Sequence, residues 1–338
     1  MTSSHIETDI DGLAALIRSG DRNALARAMT LVESTRAVDR KRAETLLTRL
    51  LPGPPDALRV GISGAPGAGK STFIEAVGGQ VTACGKKLAV LAIDPSSLRS
   101  GGSILGDKTR MSALARNPRA FIRPTPSGAT PGGVARRTRE SILLAEAAGY
   151  EVVLVETVGV GQSETAVADM VDVFVLLIAP GSGDGLQGVK RGAMELADLV
   201  VITKADGDLE IAAARAFADY RAALSLLRPK YTAMPVGVEK VSAIAGAGIA
   251  KSWATIEELG RRLRENGQIA RLRREQARGW FWSEVKFLLN EAIAADPVIA
   301  ANAGTLEAAV LEGKALPEAA ARALTRVFRG LDGADTPP

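Results

Sequence analysis

The 338 residues are 46% hydrophobic and 24% charged, which suits a folded chain with a sizeable core and one or two domains. Lys and Arg number 42 against 38 Asp and Glu, a net charge of +4 that admits anionic ligands but marks no nucleic-acid binder. One Cys, Cys84, and one His, His5, exclude an intrachain disulfide framework and a Cys/His zinc site, and no apolar run approaches the ~18 residues of a membrane span.

In chain order, no secretory apolar segment follows the start MTSSHIETDIDG, so a cytoplasmic location without a membrane partner is expected. Residues 1–55 read as an N-terminal helical segment. DIDGLAALIRSG and DRNALARAMTLVES begin with Asp and carry apolar residues at helical spacing, with Gly20 as a stop. LPGPPD (51–56) is a Pro/Gly linker. Residues 56–252 alternate apolar runs with amphipathic stretches. LRVGIS (58–63), LAVLAID (88–94), VVLVET (152–157), VFVLLIA (173–179), LVVIT (199–203) and YTAMPVGV (231–238) read as buried strands. Helices are predicted over 71–83, 134–149 and 208–227. This alternation predicts an α/β fold, a mostly parallel sheet with helices on both faces. Ligands in such sheets bind at the carboxyl ends of strands.

Residues 253–338 read as a C-terminal helical arm that packs on the core or on a second subunit, ending in the frayed tail DGADTPP. The basic runs ARRTRE (135–140) and RLRREQAR (271–278) read as solvated helix faces paired to Glu140 and Glu275, or as contacts to an acidic partner or a second subunit. WFW (280–282) reads as core or dimer packing, because no single-strand groove pattern accompanies it.

GAPGAGKS (64–71) matches G-x-x-x-x-G-K-[ST] between a predicted strand and a predicted helix, the context that gives the motif its meaning. Gly64, Ala65, Pro66, Gly67, Ala68, Gly69, Lys70, Ser71 and Thr72 are the expected phosphate cradle, with backbone N–H groups and the helix N-terminus facing the anion. Lys70 is expected to reach the β- and γ-phosphates and Ser71 to offer its hydroxyl to Mg²⁺. Asp94, Asp107 and Glu156 supply carboxylates where a magnesium site needs them. Magnesium takes only one or two carboxylates directly, so some of the three act through water or in one nucleotide state. For Asp94 a second reading, capping the next helix, stays open. ETVG (156–159) has the form acid-x-x-Gly, which in nucleotide switches sets the Gly159 N–H against the γ-phosphate.

The stretch TKAD (203–206) follows a strand and resembles an NKxD motif. Asp206 would accept from the guanine ring N–H and amine, Lys204 would cover the ring, and Thr203 stands where Asn is usual. A hydroxyl can still tie neighbouring loops. Downstream, VSAIAG (241–246) puts a backbone N–H near Ser242 and Ala243 within reach of the guanine carbonyl. ATP would leave these groups unpaired, so GTP is the expected nucleotide. Asp208 is placed to cap the following helix.

Together, GISGAPGAGKSTFIE, AIDPSSLRSGGSILGDKTRM, FIRPTPSGATPGGVARRTRE, VETVGVGQSE, GDGLQGVKRGAMELAD and TKADGD resemble the MeaB/ArgK-type P-loop GTPases over roughly residues 56–250. The resemblance implies a SIMIBI-type fold and a homodimer that binds GTP/GDP with Mg²⁺. It implies a partner, adenosylcobalamin-dependent methylmalonyl-CoA mutase, whose cofactor delivery the GTPase gates and which it protects or reactivates. By position it implies Lys70, Glu156 and Lys190 as catalytic, Ser71, Asp94, Asp107 and Glu156 as the metal-linked set, and Gly159 in the second switch. GSGDGLQGVKRG (181–192) is similar to the family's third switch, with Gly185 where an acidic residue is expected. Two other classes compete. A nickel metallochaperone GTPase needs Cys/His clusters, and a kinase-like ATPase tied to amino-acid transport needs no guanine preference.

Overall fold

In the computed structural model the described residues are 3–51, 57–94, 111–126, 133–157, 163–181, 191–227, 230–231 and 234–330. They divide into two compact units, Met1–Gln276 and Ala277–Pro338. The first unit opens with three helices, α1 (Ser3–Arg18), α2 (Arg22–Glu33) and α3 (Ala37–Leu50). An α/β alternation follows: β1 (Leu58–Gly64), α4 (Lys70–Ala83), β2 (Leu88–Asp94), α5 (Ser112–Arg116), β3 (Ala120–Pro126), α6 (Gly133–Ala147), β4 (Val152–Glu156) and α7 (Ser163–Ala168). Next come β5 (Val173–Ile178), α8 (Arg191–Leu196), β6 (Leu199–Ile202), α9 (Glu210–Ser225), β7 (Gly237–Lys240) and α10 (Ile249–Glu265). Helix α11 (Gln268–Ala295) carries the chain into the second unit, which holds α12 (Pro297–Leu311) and α13 (Pro317–Phe328).

The strands form one sheet in the order β3-β2-β4-β1-β5-β6-β7, with every neighbouring pair parallel. β1, β4, β5 and β6 are buried along their whole length, which explains the unbroken apolar runs of β5 and β6; β1 also buries Arg59 and Ser63, and β4 ends on the buried Glu156. Val60, Ile62, Leu154, Val175 and Val201 join Phe73 and Ile74 of α4 and Trp253 of α10 in one core. On the other face α7 comes close: a Cβ on Gly61 would lie 2.9 Å from Val167 and 3.0 Å from Val171. Helices thus cover both faces.

The sheet departs from expectation at two places. β3 is absent from the expected strands, because Arg123, Pro124 and Pro126 break its apolar pattern. It is an edge strand, where prolines are tolerated. The last strand is Gly237–Lys240 rather than 231–238; Tyr231 and Met234 instead form an isolated antiparallel bridge.

The N-terminal helices dock at the β3 edge within the first unit. Asp21 caps α2, accepting from Ala24 N at 2.6 Å, and Arg22 donates to the Pro118 carbonyl at 2.9 Å. Arg123 of β3 pairs with Glu33 of α2. At the amino end of the sheet Arg59 donates to Glu146 of α6 through two bonds, at 2.7 and 2.8 Å, with both side chains buried.

Candidate functional site

β1 runs into the loop Ala65–Gly69, which enters α4 at Lys70. β5 ends beside it at Ile178, and β6 ends next to β5 at Ile202. Glycine is favoured at three points here, Gly67 among them at φ 80°. A Cβ on Gly64 would sit 2.5 Å from the Leu177 carbonyl oxygen, and Gly69, just before α4, is left-handed at φ 82°. Ala65, Pro66 and Gly67 are exposed, whereas Ala68 is buried in the core.

Lys70 Nζ donates to the carbonyls of Gly64 and Ala65 at 2.9 and 3.2 Å, so its side chain lies back along the loop. Burial pushes its ammonium below the usual lysine range, opposed by the carboxylates of Glu156 and Glu164. An anion over this loop would therefore meet a partly desolvated cation, where a charge pair is stronger than in water. Glu164, in the first turn of α7, closes the stretch VETVGVGQSE, but its place in the sequence assigned it no role.

Ser71 Oγ donates to Glu156 Oε1 at 3.1 Å, and Thr72 is exposed on the same first turn. Glu156 ends β4 and is 7% exposed. Next to it the Thr157 hydroxyl donates to Ser63 Oγ at 2.9 Å, which ties the end of β4 to β1. A hydroxyl and a carboxylate side by side at a helix N-terminus fit Mg²⁺, which completes its octahedron with phosphate oxygens and water. Among the described residues no three His, Cys, Asp or Glu side chains converge as a metal cluster. Asp94 ends β2 at this same edge of the sheet. Its side chain, and all of Asp107, Gly159, Gly185 and Lys190, lie outside the described residues.

At the other end, Thr203 is 3% exposed, and its hydroxyl donates to the Ala68 carbonyl at 2.8 Å, with the Ile178 carbonyl at 3.2 Å. The residue that replaces the usual Asn thus bonds directly to the phosphate loop. Lys204 is left-handed at φ 52°, alone among the described non-glycine residues. Such a conformation is costly for a side chain with a Cβ, and it clusters at functional sites. Ala205 N donates to the Val241 carbonyl at 3.0 Å, which joins TKAD to the VSAIAG turn.

The carboxylate of Asp206 does not cap the 3₁₀ turn Gly207–Leu209 that follows it, and the N-cap of α9 is Leu209, which makes no side-chain cap, rather than Asp208. Instead Asp206 accepts a hydrogen bond from the Ser242 hydroxyl, which in turn accepts from Ala245 N at 3.0 Å. The Ser242 N–H expected to face a ring carbonyl donates to Ala247 O at 2.9 Å, so Ala243 is left as the candidate for that role. The structure therefore brings the phosphate loop, Ser71, Glu156, Thr203, Lys204, Asp206 and Ser242 to one edge of the sheet.

A family model described as methylmalonyl-CoA mutase-associated GTPase MeaB matches residues 25–297. A probable GTPase of Mycobacterium tuberculosis is 48% identical over 327 residues, covering 97% of each chain. The mitochondrial methylmalonic aciduria type A homolog of Mus musculus is 47% identical over 330 residues, covering 95% of this chain and 80% of its own. Among solved structures, an LAO/AO transport system kinase superposes with a TM-score of 0.76 at 37% identity, over 97% of this chain and 99% of its own. Motif, topology and similarity over nearly the whole length agree, and the chain belongs to the MeaB family of P-loop GTPases.

Proposed function

We propose that this chain hydrolyses GTP in the service of an adenosylcobalamin-dependent methylmalonyl-CoA mutase, gating delivery of the cofactor and protecting or reactivating the enzyme. The observation that carries the nucleotide part is the Thr203 bond to Ala68, which supports reading the phosphate loop and TKAD as two ends of one site. In this reading Gly64–Thr72 cradle the phosphates and Lys70 offsets their charge. Asp206, held by Ser242, reads the guanine edge while Lys204 covers the ring. Ser71 and Glu156, with Asp94 and Asp107, are the candidate holders of Mg²⁺, which when bound supplies positive charge to the phosphate oxygens. Lys190 and Gly159 act from the switch segments. No arginine finger is assigned from this chain, so turnover is slow until a partner supplies one.

The mutase part rests on the family description and on the name of the mouse relative. It is tested by pull-down with methylmalonyl-CoA mutase in GTP-analogue and GDP states. Capture that differs between the two states supports it; no capture in either state overturns it. Within the arm expected from residue 253, the part beyond the core-buried Trp253, Ile256, Leu263 and Ile269 is assigned to homodimerisation, because Phe281 and Trp282 expose 60% and 54% of their surface. Light scattering that returns a monomer mass would remove that assignment.

The competing ATPase reading is favoured by one observation, that the solved relative is called a transport system kinase. Thermal shift separates the two: GTP and GDP raise the melting point, and ATP at equal concentration does not. Equal shifts with ATP and GTP would sink the guanine assignment. The nickel reading has no comparable support, since the chain holds one Cys and one His.

A further inference from the structure

Ser71, Glu75, Gly78 and Thr82 are spaced by four, three and four residues and share one stripe of α4. At its amino end Ser71 meets Glu156. One turn on, Glu75 Oε1 accepts from two backbone N–H groups, those of Ala113 at 2.7 Å and Leu114 at 3.3 Å. These N–H groups belong to the opening turn of α5, whose own N-cap residue, Met111, makes no side-chain cap. Glu75 therefore caps a helix distant in sequence, and its Oε2 is buried without a hydrogen-bond partner among the described residues.

The rest of the stripe is packing. A Cβ on Gly78 would lie 2.7 Å from Leu114, so that side chain rests on the α4 backbone, and Asn117 Nδ2 donates to Thr82 Oγ1 at 2.9 Å. Met111 and Leu114 are both buried in the main core. Residues 111–117 are thus a fixed block. Gly78 and Thr82 set the distance between block and helix. The charged contact at Glu75, one turn from Ser71, resists rotation of α4 about its axis. Such a rotation would swing the Ser71 hydroxyl away from Glu156.

We propose that Glu75 is a positioning residue for the nucleotide site, which through Ala113 and Leu114 holds the first turns of α4 so that Ser71 and Glu156 face each other. This rests on the proposed GTPase reading, in which that pair holds Mg²⁺. Groups bonded directly to metal-holding side chains typically change affinity by 10- to 100-fold when removed; Glu75 acts one step further out, through Ala113 and Leu114, so the low end of that range is expected.

The test titrates Mg²⁺ against the affinity for a fluorescent GTP analogue, alongside kcat and KM, in wild type, Glu75→Ala, Glu75→Gln and Thr82→Val. Glu75→Ala raises the Mg²⁺ concentration for half-maximal affinity about tenfold and lowers kcat more than it raises KM. Glu75→Gln, whose amide oxygen can accept the same two N–H groups, stays within about twofold of wild type. Thr82→Val, at the far end of the stripe, keeps the wild-type Mg²⁺ dependence. Should Glu75→Ala not fold, Glu75→Asp replaces it: one methylene shorter, it loses the reach to Ala113 and shows the same direction of change. Wild-type Mg²⁺ dependence in Glu75→Ala overturns the inference, and so does an equal loss in Thr82→Val. A wild-type protein that binds no GTP instead sinks the proposed function, and this inference with it.

Discussion

Replacing Thr203 by Val tests whether the two ends of the site are one unit. Valine keeps the shape and removes only the hydroxyl. That hydroxyl has a single proton, so of its two carbonyl neighbours Ala68 O, at 2.8 Å, is the main acceptor and Ile178 O, at 3.2 Å, the lesser. The position is 3% exposed, so the abandoned carbonyl finds little water. The loss is one net hydrogen bond plus part of a desolvation penalty, about 1–3 kcal/mol. For a unit of this size that lowers the melting point by roughly 2–5 °C. GTP and GDP affinities should fall together, because the bond braces the loop and does not touch the base. Thr203→Ser keeps the hydroxyl but gives up a buried methyl worth about 0.8 kcal/mol. Its melting point therefore falls too, and nucleotide affinity, measured by calorimetry, is what separates the two variants. Wild-type affinity in Thr203→Val, or equal losses in Val and Ser, would refute the tie.

Three further outcomes are expected. Lys70→Ala abolishes hydrolysis; wild-type phosphate release from that variant would refute the phosphate-loop assignment. Asp206→Asn shifts preference from GTP toward XTP, because an amide can donate to the xanthine carbonyl, and an unchanged GTP/XTP ratio in competition binding would count against Asp206 as the base reader. Glu146→Ala strands the buried Arg59 guanidinium and should cost about 3–5 kcal/mol in chemical denaturation. A loss below about 1 kcal/mol would mean that water or another group takes over the Arg59 charge.

How far the sequence reached depended on whether a signal was local. Gly64 to Ser71 could be read because strand, loop and helix all lie within one short window. β5 and β6 could be read because strands buried on both faces carry unbroken apolar runs. β3 could not, since an edge strand tolerates Pro124 and Pro126, which elsewhere argue against a strand. The true β7, GVEK, looks too polar until its partners are known: Glu239 is buried and accepts from Ser252 and from Thr255, the latter at 2.8 Å, both on α10. The same reason hid Glu75, whose partners lie 38 and 39 residues further along. A helix-face glutamate reads as solvated until a distant backbone turns up against it.

The departure at Thr203 has a steric logic as well. Ile202 pairs with Ile178 in register, so the chain leaving β6 emerges directly against the end of β5 and the phosphate loop. A Cβ built on Gly69 would already lie 4.0 Å from Thr203 Oγ1. The β-branched hydroxyl of Thr203 spans the gap to the Ala68 carbonyl at 2.8 Å with few rotatable bonds. An Asn there would bring a second side-chain torsion to be held, at a greater cost in rotamer freedom. The Thr-for-Asn exchange thus keeps a direct hydrogen bond between the phosphate loop and TKAD.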